Sequence, residues 1–79
     1  MTHELKTWPE YFRAIVSGRK NFEVRKADRL FEVGDLLVLK EFDPDTQKYT
    51  GKLITKEITY ILPGGQFGIN LDYVIMGIL

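Results

Sequence analysis

The sequence predicts a small α+β domain, a β-barrel with one main helix near its N-terminus. The 79 residues are enough for one domain, which we take to span residues 1–79. Apolar residues recur at helical spacing in only one early segment, whereas the pattern from residue 21 onward indicates several strands joined by short connections. A chain this short has few residues to cover exposed strand edges, which favours closure of the sheet into a barrel.

The first two elements are a short strand and the helix. Residues 2–7 alternate weakly and predict the strand. Thr7 can then cap a helix, Pro9 fits its first turn, and Glu10 completes a capping box. Gly18 ends the helix, because glycine readily adopts the left-handed conformation. The apolar face of the helix, which we expect mainly in the core, consists of Trp8, Tyr11, Phe12, Ile15 and Val16. Stacking of one of its three aromatic rings on a base is the alternative.

Residues 21–26 alternate as a second strand, and they carry the main candidate site. Successive side chains of a strand point to opposite faces. Phe22 and Val24 are therefore expected to face the core. Glu23 and Arg25 lie on the other face, where they would meet a ligand.

The remainder of the chain predicts three more strands separated by turns. The first of them is rich in branched apolar residues, which is typical of a strand buried on both sides. Gly51 marks a bulge or turn in the long strand that follows. In order, the elements are a turn at 33–35, a strand at 36–42, a turn at 43–47, a strand at 49–62, a loop at 63–68 and a strand at 73–79.

Composition excludes several kinds of site. Cysteine is absent and there is one histidine, which excludes disulfides, thiolate metal sites and multi-histidine zinc sites. A carboxylate site for a hard cation stays open, but we expect neither a metal nor a cofactor. The sequence has no apolar run typical of a signal peptide or membrane span, so a cytoplasmic protein with no membrane partner is expected.

Charge is distributed unevenly along a chain whose formal net charge is zero. Residues 1–29 contain seven Lys or Arg and four acids, whereas residues 30–79 contain four lysines and seven acids. This asymmetry favours a localised site for an anionic ligand over a broad basic surface. Solvated charges without a ligand are the alternative.

The run Gly18-Arg19-Lys20-Asn21-Phe22-Glu23-Val24-Arg25 resembles the Gly-x-Lys-x-x-[Glu/Thr]-x-Arg motif of the ASCH domain family, which belongs to the PUA-like barrel superfamily. The preceding helix and the following Val-Gly-Asp turn support the resemblance. Residues 3–6 and 28–42 look like a phage and bacterial subgroup of small, uncharacterised ASCH-like proteins. The resemblance covers residues 3–79 and implies a small PUA-like barrel.

This resemblance implies a cleft beside the helix that binds RNA or a nucleotide-like ligand. The motif places Lys20, Glu23 and Arg25 in that cleft. Glu23 could accept a hydrogen bond from an exocyclic amine, or it could hold the two cations in place. Lys6 and Arg29 are expected to border the same face and to bind the ligand as well. An exposed pair of Glu23 and Arg25 with no ligand is the alternative.

A second possibility is a small amidohydrolase that acts on an acylated nucleoside such as N4-acetylcytidine. Lys20 matches the lysine of relatives with this activity, but Glu23 stands where they have a threonine. Lys20 and Glu23 would be catalytic only in this case. Glu57 is a further candidate, by rough position along the chain. A domain that binds another protein is a third possibility.

Overall fold

Five strands and one helix make up the computed structural model, which describes residues 1–79. The predicted strands and the predicted helix are all present, and the α+β class is confirmed. No helix has the length and the apolar character that crossing a membrane would require. The elements are β1 (Thr2–Thr7), α1 (Pro9–Val16), β2 (Phe22–Lys26), β3 (Leu36–Asp43), β4 (Lys48–Pro63) and β5 (Tyr73–Ile78).

The strands form one mixed sheet in the order β1-β3-β4-β5-β2. β1 pairs with β3 in parallel, and every other pairing is antiparallel. The 16-residue β4 pairs with β3 through its first part and with β5 through its second part. Register shifts between Lys40 and Phe42 and between Ile58 and Tyr60 interrupt these ladders, and such irregularities bend a sheet.

The predicted closed barrel is not shown, because β1 and β2 lie at opposite ends of the strand order and do not pair. Closure needs a continuous ladder of backbone hydrogen bonds around the sheet. Here a side chain bridges the two strands instead. Arg25 of β2 donates from Nη2 to the carbonyl oxygen of Lys6, at 2.8 Å, and to the Thr7 hydroxyl, at 3.3 Å.

The core lies on the face of the sheet that α1 covers. Ile15 of α1 is 1% exposed, and α1 packs against β3. Only one face of β3 is fully buried, because Leu36 is 40% exposed while Leu37 is inaccessible. The buried cluster consists of Leu5, Ile15, Phe31, Leu37, Leu39, Ile58, Val74, Met76 and Ile78.

The start of α1 differs from the sequence prediction. Trp8 is the N-cap residue, and no side chain caps the helix, so the predicted capping box is wrong. Thr7 is the last residue of β1, and its hydroxyl lies beside Arg25 instead. With only eight residues, α1 buries a narrow face that includes Phe12, whereas Trp8 and Tyr11 are exposed.

A buried polar cluster fixes the start of β1 against the turn before β3. Asp35 accepts hydrogen bonds from His3 Nε2 at 2.8 Å, from the Met1 ammonium at 3.0 Å and from the Glu32 amide at 3.1 Å. The hydrogen bond with His3, followed by that with the ammonium, lowers the pKa of Asp35 from 3.8 to about 2. Gly34 has a φ of 95°, a left-handed conformation that makes glycine the residue suited to this turn.

Candidate functional site

β2 alternates as the sequence predicts, but its two faces are reversed. Glu23 is 3% exposed, whereas Phe22 and Val24 are 47% and 48% exposed. A carboxylate is costly to bury unless partners compensate its charge. Lys20 and Arg25 compensate the charge of Glu23. The apolar neighbours Phe22 and Val24 line a cleft.

Glu23 lies between Lys20 and Arg25 and contacts both. Lys20 Nζ is 2.7 Å from Glu23 Oε1, and Arg25 Nε is 2.9 Å from Glu23 Oε2. Lys20 Nζ also donates to the Phe22 carbonyl oxygen at 2.8 Å. The side chains of Lys20 and Arg25 are 18% and 24% exposed, so both cations are partly desolvated. We call these three residues the charged triad.

The turn that follows α1 positions Lys20. The Arg19 and Lys20 amides both donate to the Ala14 carbonyl oxygen, each at 3.0 Å. Gly18 adopts a φ of 80°, which few other residues tolerate, and Asn21 Nδ2 donates to its carbonyl oxygen at 3.1 Å. These contacts bring the chain back toward β2, so Lys20 reaches a carboxylate only three residues away.

The charged triad lies in a cleft of about 870 Å³ between β2 and the start of α1. The cleft also contains exposed aromatic rings, so we call it the aromatic cleft. The Trp8 and Tyr11 rings are nearly parallel, with centroids 6.4 Å apart and an interplanar angle of 20°. Lys20 Nζ lies 4.8 Å from the centroid of the Phe22 ring. Its four aromatic residues are Trp8, Tyr11, Phe22 and Tyr73, which are 42–54% exposed.

A second cleft, of about 570 Å³, includes residues of the free edge of β1 and of the β2–β3 connection. We call it the edge cleft. It shares two residues, Lys6 and Arg25, with the aromatic cleft. Its five cationic residues are Lys6, Arg25, Lys26, Arg29 and Lys40.

The structure places the predicted ligand-binding residues in two groups. Lys6 lines the aromatic cleft together with the charged triad. Arg29 does not, because it lies in the edge cleft, 3.6 Å from Asp28. Glu57 is exposed on β4 and lines neither cleft.

The sequence indicated the aromatic wall of the site only as an alternative. It assigned Trp8 and Tyr11 mainly to the core, where only Phe12 and Ile15 of the helix are buried. One feature of the sequence could have indicated that Trp8 is exposed. Trp8 precedes Pro9, and a residue before the first helical turn need not share the buried face of the helix.

Comparison with known proteins identifies a family. A family model described as a domain of unknown function (DUF3850) matches residues 2–78. The chain belongs to the DUF3850 family. It is also 39% identical over 57 residues to the "Uncharacterized 12.9 kDa protein in GpA 3'region" of Escherichia phage P2. The similar region covers 72% of this chain and 50% of the phage protein, so the chain spans about half the length of this curated relative.

These matches agree with the predicted likeness to phage proteins. Neither match names the ASCH family or the PUA-like superfamily. Those finer assignments therefore remain predictions for this DUF3850 domain.

The charged triad of this DUF3850 domain retains hydrogen-bond donors for a ligand. An ammonium has three N–H groups and a guanidinium has five. Lys20 uses two of its donors, on Glu23 and Phe22, which leaves one. Arg25 uses Nε and Nη2, which leaves both N–H groups of Nη1. With two cations and one carboxylate, the triad has a formal charge of +1 and is suited to a single anionic or electron-rich group.

Proposed function

We propose that this DUF3850 domain binds RNA, or a nucleotide-like ligand, in the aromatic cleft. The supporting observation is that a partly desolvated lysine and arginine converge in the same cleft as four exposed aromatic rings. Single-stranded nucleic acid is bound by this combination, because bases stack on the rings and cations contact the backbone. The two cations alone would bind any anion, and the aromatic rings alone would bind any flat apolar group.

Each member of the charged triad has a separate role in this proposal. Arg25 presents Nη1 to a phosphate or a base edge, and Lys20 adds one further donor. Glu23 is a positioning residue, since both of its oxygens are engaged and its side chain is buried. Of the two roles that the sequence suggested for Glu23, this is the one in which it holds the two cations in place.

The aromatic rings supply the contacts that do not depend on charge. Stacking on an aromatic side chain contributes about 1–3 kcal/mol per base. Trp8 and Tyr11 form a nearly parallel pair at the start of α1, and Phe22 of β2 lies beside Lys20. A base between these elements would lie within reach of the triad.

The proposal includes the ASCH and PUA-like assignment. It is supported by the motif at residues 18–25 and by the position of Lys20, Glu23 and Arg25 beside the helix. A cleft in that place is what the family resemblance implies.

The amidohydrolase alternative would use the same cleft, but no observation favours it. The carboxylate at position 23 is already bound by two cations. Lys20 Nζ donates to the Phe22 carbonyl oxygen and to the Glu23 carboxylate, so it is directed at protein oxygens rather than at a substrate carbonyl. Binding without turnover is the function that this geometry supports best.

The test is a titration with octauridylate, followed by the fluorescence of Trp8, which is the single tryptophan. It is repeated at several salt concentrations for the wild type, Lys20→Ala and Arg25→Ala. Both variants are expected to bind at least tenfold more weakly. The logarithm of the wild-type association constant should fall by about 0.7 for each phosphate contacted when the salt concentration rises tenfold.

Lys52→Ala is the matched control, because Lys52 is exposed on β4 and lines neither cleft. It should bind like the wild type. Circular dichroism establishes that each variant is folded before titration. Absence of binding by the wild type at low salt, or equal affinity for all four proteins, would exclude this site.

A further inference from the structure

The edge cleft is strongly cationic for a protein of zero net charge. Five cations and two acids line it, which gives a formal charge of +3. Two of the cations are paired with those acids: Lys40 Nζ lies 2.7 Å from Glu4, and Arg29 Nε lies 3.6 Å from Asp28. A concentration of one sign of charge in a concave surface attracts an oppositely charged group.

Lys6 and Lys26 have no acidic partner in the edge cleft. The ion pairs of the molecule include neither residue. Lys6 Nζ instead lies 4.5 Å from the centroid of the Phe42 ring, and both lysines are exposed. Their charges are therefore available to a ligand.

One exposed aromatic ring, that of Tyr49, accompanies these charges. Tyr49 is 51% exposed and lines the edge cleft. Its ring packs edge-on against Phe42, with centroids 5.1 Å apart, so its orientation is fixed from one side. The edge cleft thus repeats the composition of the aromatic cleft, with more charge and less aromatic surface.

Lys6 and Arg25 connect the two clefts. Both residues line each cleft, and Arg25 Nη2 donates to the Lys6 carbonyl oxygen where they meet. A ligand that extends past this contact would pass from the stacking rings to the unpaired lysines. A mononucleotide has neither a phosphodiester nor a second base for the edge cleft, whereas a strand places a phosphodiester between successive bases.

We infer that the edge cleft binds a phosphodiester of the strand whose base occupies the aromatic cleft, so that the ligand is a single-stranded oligonucleotide rather than a mononucleotide. The inference rests on the proposed function. Lys6 and Lys26 contact the phosphate, and Tyr49 stacks on the next base. The strand crosses the gap between β1 and β2 at Arg25.

The test compares uridine 5′-monophosphate with tetrauridylate, by calorimetric titration of the full chain. The wild type should bind tetrauridylate at least tenfold more tightly than the mononucleotide. The double variant Lys26→Gln/Tyr49→Ala should lose most of this difference while its affinity for the mononucleotide is unchanged. Both residues are exposed, so the variant is expected to fold.

Lys52→Gln is the matched control for a lost charge outside the clefts, and it should retain the preference for the longer ligand. Equal affinity of the wild type for both ligands would overturn the inference but leave the proposed function intact. A double variant that still prefers tetrauridylate as strongly as the wild type would also overturn the inference and leave the proposed function intact. Failure of the wild type to bind either ligand would overturn the proposed function, and this inference with it.

Discussion

Arg25 Nη2 donates a hydrogen bond of 2.8 Å to the carbonyl oxygen of Lys6, and this contact joins the two edge strands of the sheet. The same guanidinium holds the buried Glu23 through Nε, and both Arg25 and Lys6 line the two clefts. One side chain therefore connects the ends of the sheet and contributes to the candidate site. A change at Arg25 should affect stability and binding together.

Arg25→Lys is expected to destabilise the fold by about 1–2 kcal/mol, although it keeps the charge. A compact ammonium cannot match the planar fork that reaches Glu23, the Lys6 carbonyl and the Thr7 hydroxyl. Urea denaturation measures the free energy of unfolding. Arg13→Lys on the exposed face of α1 is the control and should change it by less than about 0.5 kcal/mol. Equal stability of the two variants would show that the bridge contributes nothing.

Glu23→Gln should lower the free energy of unfolding by more than the same substitution at an exposed position. It leaves two partly buried cations without the carboxylate that both contact, and removal of one partner from a buried ion pair costs about 3 kcal/mol. Thermal and urea unfolding measure the loss. Glu57→Gln makes the same chemical change at an exposed position of β4 and should be close to neutral. A Glu23 variant as stable as the Glu57 variant would contradict the positioning role.

The elements of this fold could be predicted from the sequence because each has a local cause. These local causes each involve only a few residues. They are the alternation at residues 2–7, the spacing of Phe12 and Ile15, and the turns with Gly34 and Pro44. The order of the strands, with β1 beside β3, and the gap between β1 and β2 depend on contacts between distant parts of the chain. No periodicity encodes such contacts.

The candidate site was predicted in part for the same reason. Lys20, Glu23 and Arg25 lie within six residues, so a strand following a tight turn brings them together. Which face of β2 is buried was predicted wrongly. Hydrophobicity alone favours burial of Phe22, whereas the structure buries Glu23 between two cations and exposes Phe22 in the cleft. The spacing of opposite charges two and three residues from Glu23 is the signal that could have indicated this.

Asp35 should make the stability of the protein depend on pH in the acid range. Its pKa is lowered to about 2 in the folded state, mainly by the hydrogen bond with His3, against an ordinary value of 3.8. Because the folded pKa is depressed, the stabilisation is complete above about pH 4 and is lost as the pH falls through about 2. The free energy of unfolding is measured between pH 2 and pH 6 for the wild type and Asp35→Asn.

The difference between these two proteins should be constant from pH 6 to about pH 4 and should shrink toward pH 2. Asp45→Asn, in the exposed β3–β4 turn, controls for the change of an acid to an amide. A difference between the wild type and Asp35→Asn that is the same at pH 2 and pH 6 would refute the role of the buried carboxylate.

Incubation with N4-acetylcytidine should give no cytidine and no acetate, even where the nucleoside binds. Hydrolysis of this amide needs a group that attacks the acetyl carbonyl or removes a proton from water, and a site that stabilises the resulting oxyanion. Lys20 is engaged as a donor by Glu23 and by the Phe22 carbonyl, and position 23 offers no hydroxyl. Chromatography of the reaction detects cytidine directly, with Lys20→Ala as the variant to compare. Turnover by the wild type that Lys20→Ala abolishes would replace the binding function with the hydrolase, because it would show that Lys20 leaves its two oxygen partners to act on the substrate.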